Sequence, residues 1–532
     1  MSFVRFLIAF SLIATCTLAA TIYVPDDYPT IQGAIDGSAN GDTVLVRAGT
    51  YVETITFGGK AITVRGIYGP SLTTIDGNQA DSVVSFYNGE GPDSVIEGFS
   101  ITNGKRVGGS GGGIVCYGCT PTISKNHIFG NVADFHGGGI ACQGNAAPII
   151  KRNVISANST LTYDGAGISC QLSSPVIVEN KIRGNVAARV GGGIHCYYSE
   201  AYLVDNVVAG NSAESGGGVC IEHADPTVTR NTIKENVSTL AGGGIRCDDY
   251  ASPMIVNNFV LHNESLTGTG GGVFCGNHCT LDFTSNTVVA NTAAGGGGGL
   301  AVYYYADVNV ANSIFWDNVA VDGPELWVGD STHPATLAIS YSDVDGAQNS
   351  LHVESGCSSN WGAGMVNVDP DFIEPIYGDY HICWNSPLRD VGDNSAAGLP
   401  QTDCDGNPRV ALTTTDIGAD EYYYALYCVE DPIPGQLLKL KIIGYPNAPA
   451  AIALGTGVLD PPVTTKHGDL YLPTPFANFW NYGKIGARGF WYLAYSIHPS
   501  HYQGEEFPFQ ALVGPWGGAW TRLTNLKMLV VE

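Results

Sequence analysis

An all-β solenoid is the fold class this sequence predicts, and three observations predict it. First, an apolar residue after a glycine-rich triplet recurs as Ile114, Ile140, Ile168, Ile194, Val219, Ile245, Val273 and Leu300, in steps of 26, 28, 26, 25, 26, 28 and 27 residues. A period of this size marks units that bury their apolar faces only by stacking on one another. Second, each unit divides into GGG-Ile-x-Cys, Pro-x-Ile-x-x-Asn and an apolar pair before another Asn, and none of these runs has helical spacing. Third, the asparagines form two columns, Asn126 to Asn312 and Asn131 to Asn318. Stacked amides about 4.8 Å apart can hydrogen-bond along a column, so these residues read as ladders rather than ligands.

The elements follow in chain order. Residues 1–20 carry Arg5, an apolar run from Phe6 to Ala14 and small residues to Ala20, the pattern of a secretory signal peptide. Cys16 follows Thr15 rather than the Gly or Ala expected before a lipidated cysteine, so the expected product is soluble and exported, secreted or at the cell surface. No later stretch approaches eighteen uninterrupted apolar residues, so membrane insertion is not expected. Residues 21–422 read as the solenoid, 423–432 as a linker and 433–532 as a small β-sandwich, from alternation such as "LLKLKIIG" and "FWYLAYSI".

"VPDDYPTIQGAIDGSANGDTVLVRAGTYVETITF" (24–57) and the segment 367–422, with "TDCDGN" and "DIGADEY", are similar to the opening and closing segments of the pectate-lyase-like superfamily. The chain as a whole resembles those secreted bacterial repeat proteins. The resemblance implies a right-handed parallel β-helix, with a short amphipathic helix near Thr30 to Ala39 plugging the open end before "DTVLVRAGTY" begins the strands. It does not supply a catalytic set, because that family uses several, and no run of polygalacturonase Asp motifs or firm pectate-lyase Arg signature is present.

The cysteines at Cys116, Cys142, Cys170, Cys196, Cys247 and Cys275 share the inward place two residues after the index position, where thiols act as small hydrophobes. Soft-metal handling by this column is therefore disfavoured. Export permits disulfides, and Cys357, Cys383, Cys404 and Cys428 could pair in three ways. "TDCDGN" reads as a turn rather than a Ca²⁺ loop, since the twelfth position from Asp403 is Thr414 and not Glu.

Candidate chemistry sits one and three residues after the index position, both expected to face outward. In the middle rungs these columns hold His195 and Arg246, and Gln171, Tyr197, Glu222 and Asp248. Glu222 and Asp248 fall on successive rungs and form a carboxylate pair, able to hold Ca²⁺ or to divide acid and nucleophile work. Arg246, Asp248, Glu222 and His195 are the candidate catalytic residues, and Tyr197, Gln171, Tyr163 and Arg189 the candidate substrate-binding ones. A plainer reading makes Arg246 only the ion-pair partner of Glu222.

A formal net charge of −25 argues against nucleic acid and anionic membrane surfaces. It favours a neutral glycan, or an acidic one bridged by Ca²⁺, the only cofactor expected. The expectation is a monomer that binds an extended polysaccharide on its outer face, and that, if an enzyme, is a polysaccharide lyase or glycoside hydrolase. The alternative is a non-catalytic cell-surface or adhesion protein in which the coil is a spacer.

Overall fold

The computed structural model describes residues 19–411 and 413–422 and, beyond them, the strands that lie between residues 426 and 530. The signal-peptide reading of residues 1–20 lies almost wholly outside the described residues, as does most of the linker. Three long parallel sheets wind around one apolar core, with 14, 12 and 12 strands. Sheet 1 stacks the Gly-triplet strands, such as Ile194–Tyr197 and Val219–Glu222. Sheet 2 stacks the Pro-x-Ile strands, and sheet 3 the apolar pairs. Register is unshifted along these sheets, so Ile168 pairs with Ile194 and Cys170 with Cys196. Short strands between sheets 3 and 1, among them Ser212–Ser215 and Val237–Ala241, add a fourth side.

The opening helix is Ile31–Gly37, capped by Thr30, whose hydroxyl accepts from Gly33 N at 3.1 Å. Ile31, Ala34 and Ile35 are buried in the core cluster, which closes the end of the coil. Strand formation begins earlier than "DTVLVRAGTY" suggests. Thr21–Val24 already pairs in parallel with Thr43–Val46, so the helix is inserted between the first two strands of sheet 2.

Stacked asparagines join the rungs. In one column Asn153 Nδ2 donates to Asn180 Oδ1 at 3.0 Å and to Ile123 O at 2.9 Å, and the next amide repeats this. Asn312 leaves its column: Ser313 takes the place below Asn286, while Asn312 bonds Asp393 through Nδ2 and Oδ1. The copy "DVNVANSIF" is offset by one residue there, and a shift of one residue turns a side chain to the other face. The second column ends at Glu325, whose buried carboxylate accepts from Asn318 N and Nδ2.

Segment 367–422 is a strap rather than an end cap. It runs along the outer face of sheet 3, where Ile417 and Leu388 cover Ile314, and Tyr380 and Ala419 cover Phe259, Leu261 and Val289. Beyond it, Leu437–Ile443 pairs antiparallel with Phe490–Ser496, and Pro449–Leu454 with Asn478–Lys484 and Glu506–Val513, consistent with antiparallel sheets in 433–532. No described helix is long and apolar enough to cross a membrane. The twelve cysteines from Cys116 to Cys404 are thiols.

Candidate functional site

The expectation that both columns of sheet 1 face solvent is half right. Residues three after the index position are partly exposed, but those one after it are mostly buried, His195 to 1 %. Gly191 is the cause. With φ 67° it folds the preceding segment back over its own strand, so that a Cβ on it would lie 2.7 Å from the Cβ of His195. Gly165, Gly216, Gly242 and Gly270 cover Ser169, Cys220, Arg246 and Phe274 in the same way. Each rung therefore makes an inside corner, and stacking lines the corners up into a shallow groove along the coil axis whose inner residues His195 and Cys220 are closed to solvent, at 1 % and 0 % exposed.

The floor of this groove holds His195, Cys220 and Arg246. One wall carries Gln171, Tyr197, Glu222 and Asp248, and the other carries His136, Tyr163, Asp164 and Arg189. His195 Nε2 lies 3.1 Å from Glu222 Oε2. Arg246 reaches Glu222 through Nη1 and Asp248 through Nη2, and its Nη1 lies 3.5 Å from Cys220 Sγ. Burial pushes Glu222 upward, but His195 and Arg246 outweigh it and hold the carboxyl at about 2. Burial raises Asp248 against the pull of Arg246, and Arg246, despite burial, is held protonated by its anionic neighbours.

On the facing wall His136 Nδ1 lies 3.5 Å from Asp164 Oδ2. Burial, with His195 and Arg189 nearby, pushes His136 down to about 4, so it is neutral at neutral pH. Tyr163 stacks on His136 at 5.2 Å and lies under the Arg189 guanidinium at 5.8 Å. Gln171 accepts from Gln143 Nε2 at 2.9 Å, further along the wall from the charged centre. Toward the C-terminal rungs the groove becomes aromatic: Phe274 meets Tyr303 at 6.2 Å, and Tyr303 stacks on Trp327 at 5.6 Å.

The structure thus joins Arg246, Asp248, Glu222 and His195 in one bonded array, with Tyr197 beside His195 at 6.1 Å. Tyr163 and Arg189 form a separate pair across the corner. His136 and Asp164 share the place four residues before Ile140 and Ile168, the signal in the sequence that sets them on one wall. Arg246 and Asp248 are not freely solvent-facing, with side chains 16 % and 13 % exposed. The Glu222–Asp248 pair also does not fit Ca²⁺, because Arg246 stands between the carboxylates where six to eight oxygens are needed. Two sets with ligand atoms within 4.8 Å, His136/Asp164/His195 and His195/Cys220/Glu222, lie in the groove, but Arg189 and Arg246 already counter their charge.

Two other surfaces compete less well. A 360 Å³ hollow on sheet 2 is lined by Arg65, Glu97, Lys125, Lys151 and Arg152, but Arg65 pairs with Glu97 and Arg152 with Glu179. On the turn after sheet 1, Tyr198, His223, Tyr250, His278 and Tyr305 stack at 4.8–6.3 Å, an aromatic row set apart from the bonded carboxylates.

Fold and site together define a parallel β-helix protein with a line of bonded polar side chains along one edge of its coil. The sequence model of the right handed beta helix region matches residues 54–213 and 190–361, more than half of the 532 residues, and the chain belongs to that family. No curated protein matches. Among solved structures, the enzymatically active domain of tailspike protein 4 of bacteriophage CBA120 is similar at a TM-score of 0.23 and 10 % identity, over 92 % of this chain and 64 % of that one. The chain therefore spans less than two thirds of that structure's length.

Proposed function

We propose that this protein binds an extended neutral polysaccharide along the groove and hydrolyses it at the Glu222/Asp248 pair. The observation that carries the reading is the contiguous His195–Glu222–Arg246–Asp248 array, half-buried in a groove whose far end is aromatic. Glu222 and Asp248 are register partners on adjacent strands, so both carboxylates stand on one face with Arg246 bridging them. Their environments push the two carboxyls in opposite directions, the condition under which one acts as nucleophile and the other as acid. Glu222 takes the nucleophile role and Asp248 the acid role. His195 positions Glu222, and Arg246 orients both carboxylates.

The guanidinium of Arg246 is engaged by two protein carboxylates, which leaves it poorly placed for a uronate. Together with the net charge of −25, this favours a neutral ligand over an acidic one held by Ca²⁺. The test is release of reducing ends and of unsaturated uronates from neutral and acidic polysaccharides, with Ca²⁺ or chelator. Reducing ends from a neutral glycan are expected, insensitive to chelator, with turnover lowered about 10²–10⁴-fold by Glu222→Gln at unchanged circular dichroism. Trp327→Ala is expected to raise KM more than it lowers kcat. Silence across the panel, from folded protein that also fails to bind these glycans, would sink the reading and leave the coil as a spacer.

A further inference from the structure

The strap carries a second cluster that the groove does not use. His381, Cys404, Asp405 and Asp420 each offer one ligand atom, and these atoms all lie within 4.8 Å of one another. They come from three places: His381 from the strand Asp379–Ile382, Cys404 and Asp405 from the turn in "TDCDGN", and Asp420 from "DIGADEY". The turn is organised by Asp403, whose Oδ1 accepts from Asp405 N at 2.9 Å and Asn407 N at 2.8 Å. Asp379 Oδ1 holds His381 Nδ1 at 2.6 Å, and His381 Nε2 lies 3.4 Å from Asp405 Oδ2.

We propose that His381, Cys404, Asp405 and Asp420 form a binding site for one borderline-soft divalent cation of the zinc class, which pins the strap together. A carboxylate on the far nitrogen of a ligating imidazole is the usual outer partner of such a site, since it sets the tautomer and turns the other nitrogen to the metal. A histidine, a thiol and two carboxylates make a four-donor N/S/O/O set, which suits Zn²⁺ and excludes the all-oxygen sites of Ca²⁺ and Mg²⁺. Charge points the same way. Three carboxylates, from Asp379, Asp405 and Asp420, surround one imidazole, while Arg409 spends its guanidinium on Thr415 Oγ1 and the carbonyls of Asp416, Gly418 and Ala419. Binding releases the Cys404 S–H proton, and the imidazolium proton where His381 carries one, to solvent; the thiolate and the neutral imidazole then ligate.

A Cys404–His381–Asp379 nucleophilic triad is the competing use of the same side chains. A triad needs one carboxylate behind its histidine, whereas here Asp405 and Asp420 stand on the thiol side of the imidazole with their oxygens within 4.8 Å of the other ligand atoms.

The experiment uses the full chain expressed with zinc and, separately, loaded with Co²⁺. About one Zn²⁺ per chain is expected to survive dialysis, and the cobalt form should give a thiolate-to-cobalt charge-transfer band in the near ultraviolet. Cys404→Ser should abolish that band, whereas Cys220→Ala, in the groove, should keep it. Should Cys404→Ser fail to fold, Asp379→Asn serves instead and should raise the Kd for Zn²⁺ about 10–100-fold. Folded wild type that retains neither metal would overturn the proposal. So would a band lost in Cys220→Ala rather than Cys404→Ser, a disulfide at Cys404, or alkylation of Cys404 unaffected by zinc.

Discussion

Arg246 holds the groove together, because it is the one described cation bonded to both Glu222 and Asp248. Removing it leaves two partly buried carboxylates facing each other. Arg246→Ala is therefore expected to cost about 3–5 kcal/mol in urea unfolding, and Glu222→Gln with Asp248→Asn in the same chain should restore much of it. Loss of activity in Arg246→Ala alone would consequently mix folding with catalysis, which is why Glu222→Gln is the better probe. Glu222 also makes a signed prediction in acid. Its folded value of about 2 lies below the ordinary 4.5, so its contribution is complete above about pH 4.5 and is lost as pH falls toward 2. Glu222→Gln should flatten that limb by about 2 kcal/mol, and an unchanged acid limb in the variant would contradict the His195 and Arg246 pairing.

At the scale of the element, glycine and glutamate mark where the rungs meet. A Cβ on Gly193 would stand 2.6 Å from Gly218 O and 2.7 Å from Val208 Cγ1, so the backbone of the next rung would have to move. Gly193→Ala is expected to destabilise by about 1–3 kcal/mol by chemical denaturation. Glu325 ends the second asparagine column, and burial raises its carboxyl to about 8 from an ordinary 4.5. The unfolded chain ionises first as pH rises, so stability should fall between about pH 4.5 and 8. Glu325→Gln should remove that slope, on the order of 5 kcal/mol, and an equal slope in both proteins would show that Glu325 is ionised when folded. The place of Asn312 was misread from spacing alone. "DVNVANSIF" keeps an asparagine near the expected position, but its amide serves the strap through Asp393.

Across the whole molecule, the strap decides what sheet 3 can be. Phe259, Ile314 and Trp316 face outward from a coil whose core lies on the other side, and segment 367–422 covers them. Ile417→Asp is expected to undock the strap, with increased binding of a hydrophobic dye and new proteolysis within 367–422, while the far-ultraviolet signal of the coil persists. Much of this architecture was legible in the sequence. The recurrence from Ile114 to Leu300 determined the rungs, the inward cysteines and the amides that stack, because an unshifted parallel register converts a period into neighbours. The acidic balance and the carboxylates at Glu222 and Asp248 were likewise readable, since equal places in successive repeats must lie side by side. What only the tertiary structure decided is the corner that buries His195 beneath Gly191, the insertion of Arg246 between its two acids, and the meeting of His381 with Cys404 and Asp420. Those contacts depend on the angle at which one side of the coil meets the next, and on a strap that folds back over the rungs. The glycine that sets the corner recurs with the period, but its left-handed φ is not written in the repeat, and the strap has no period at all.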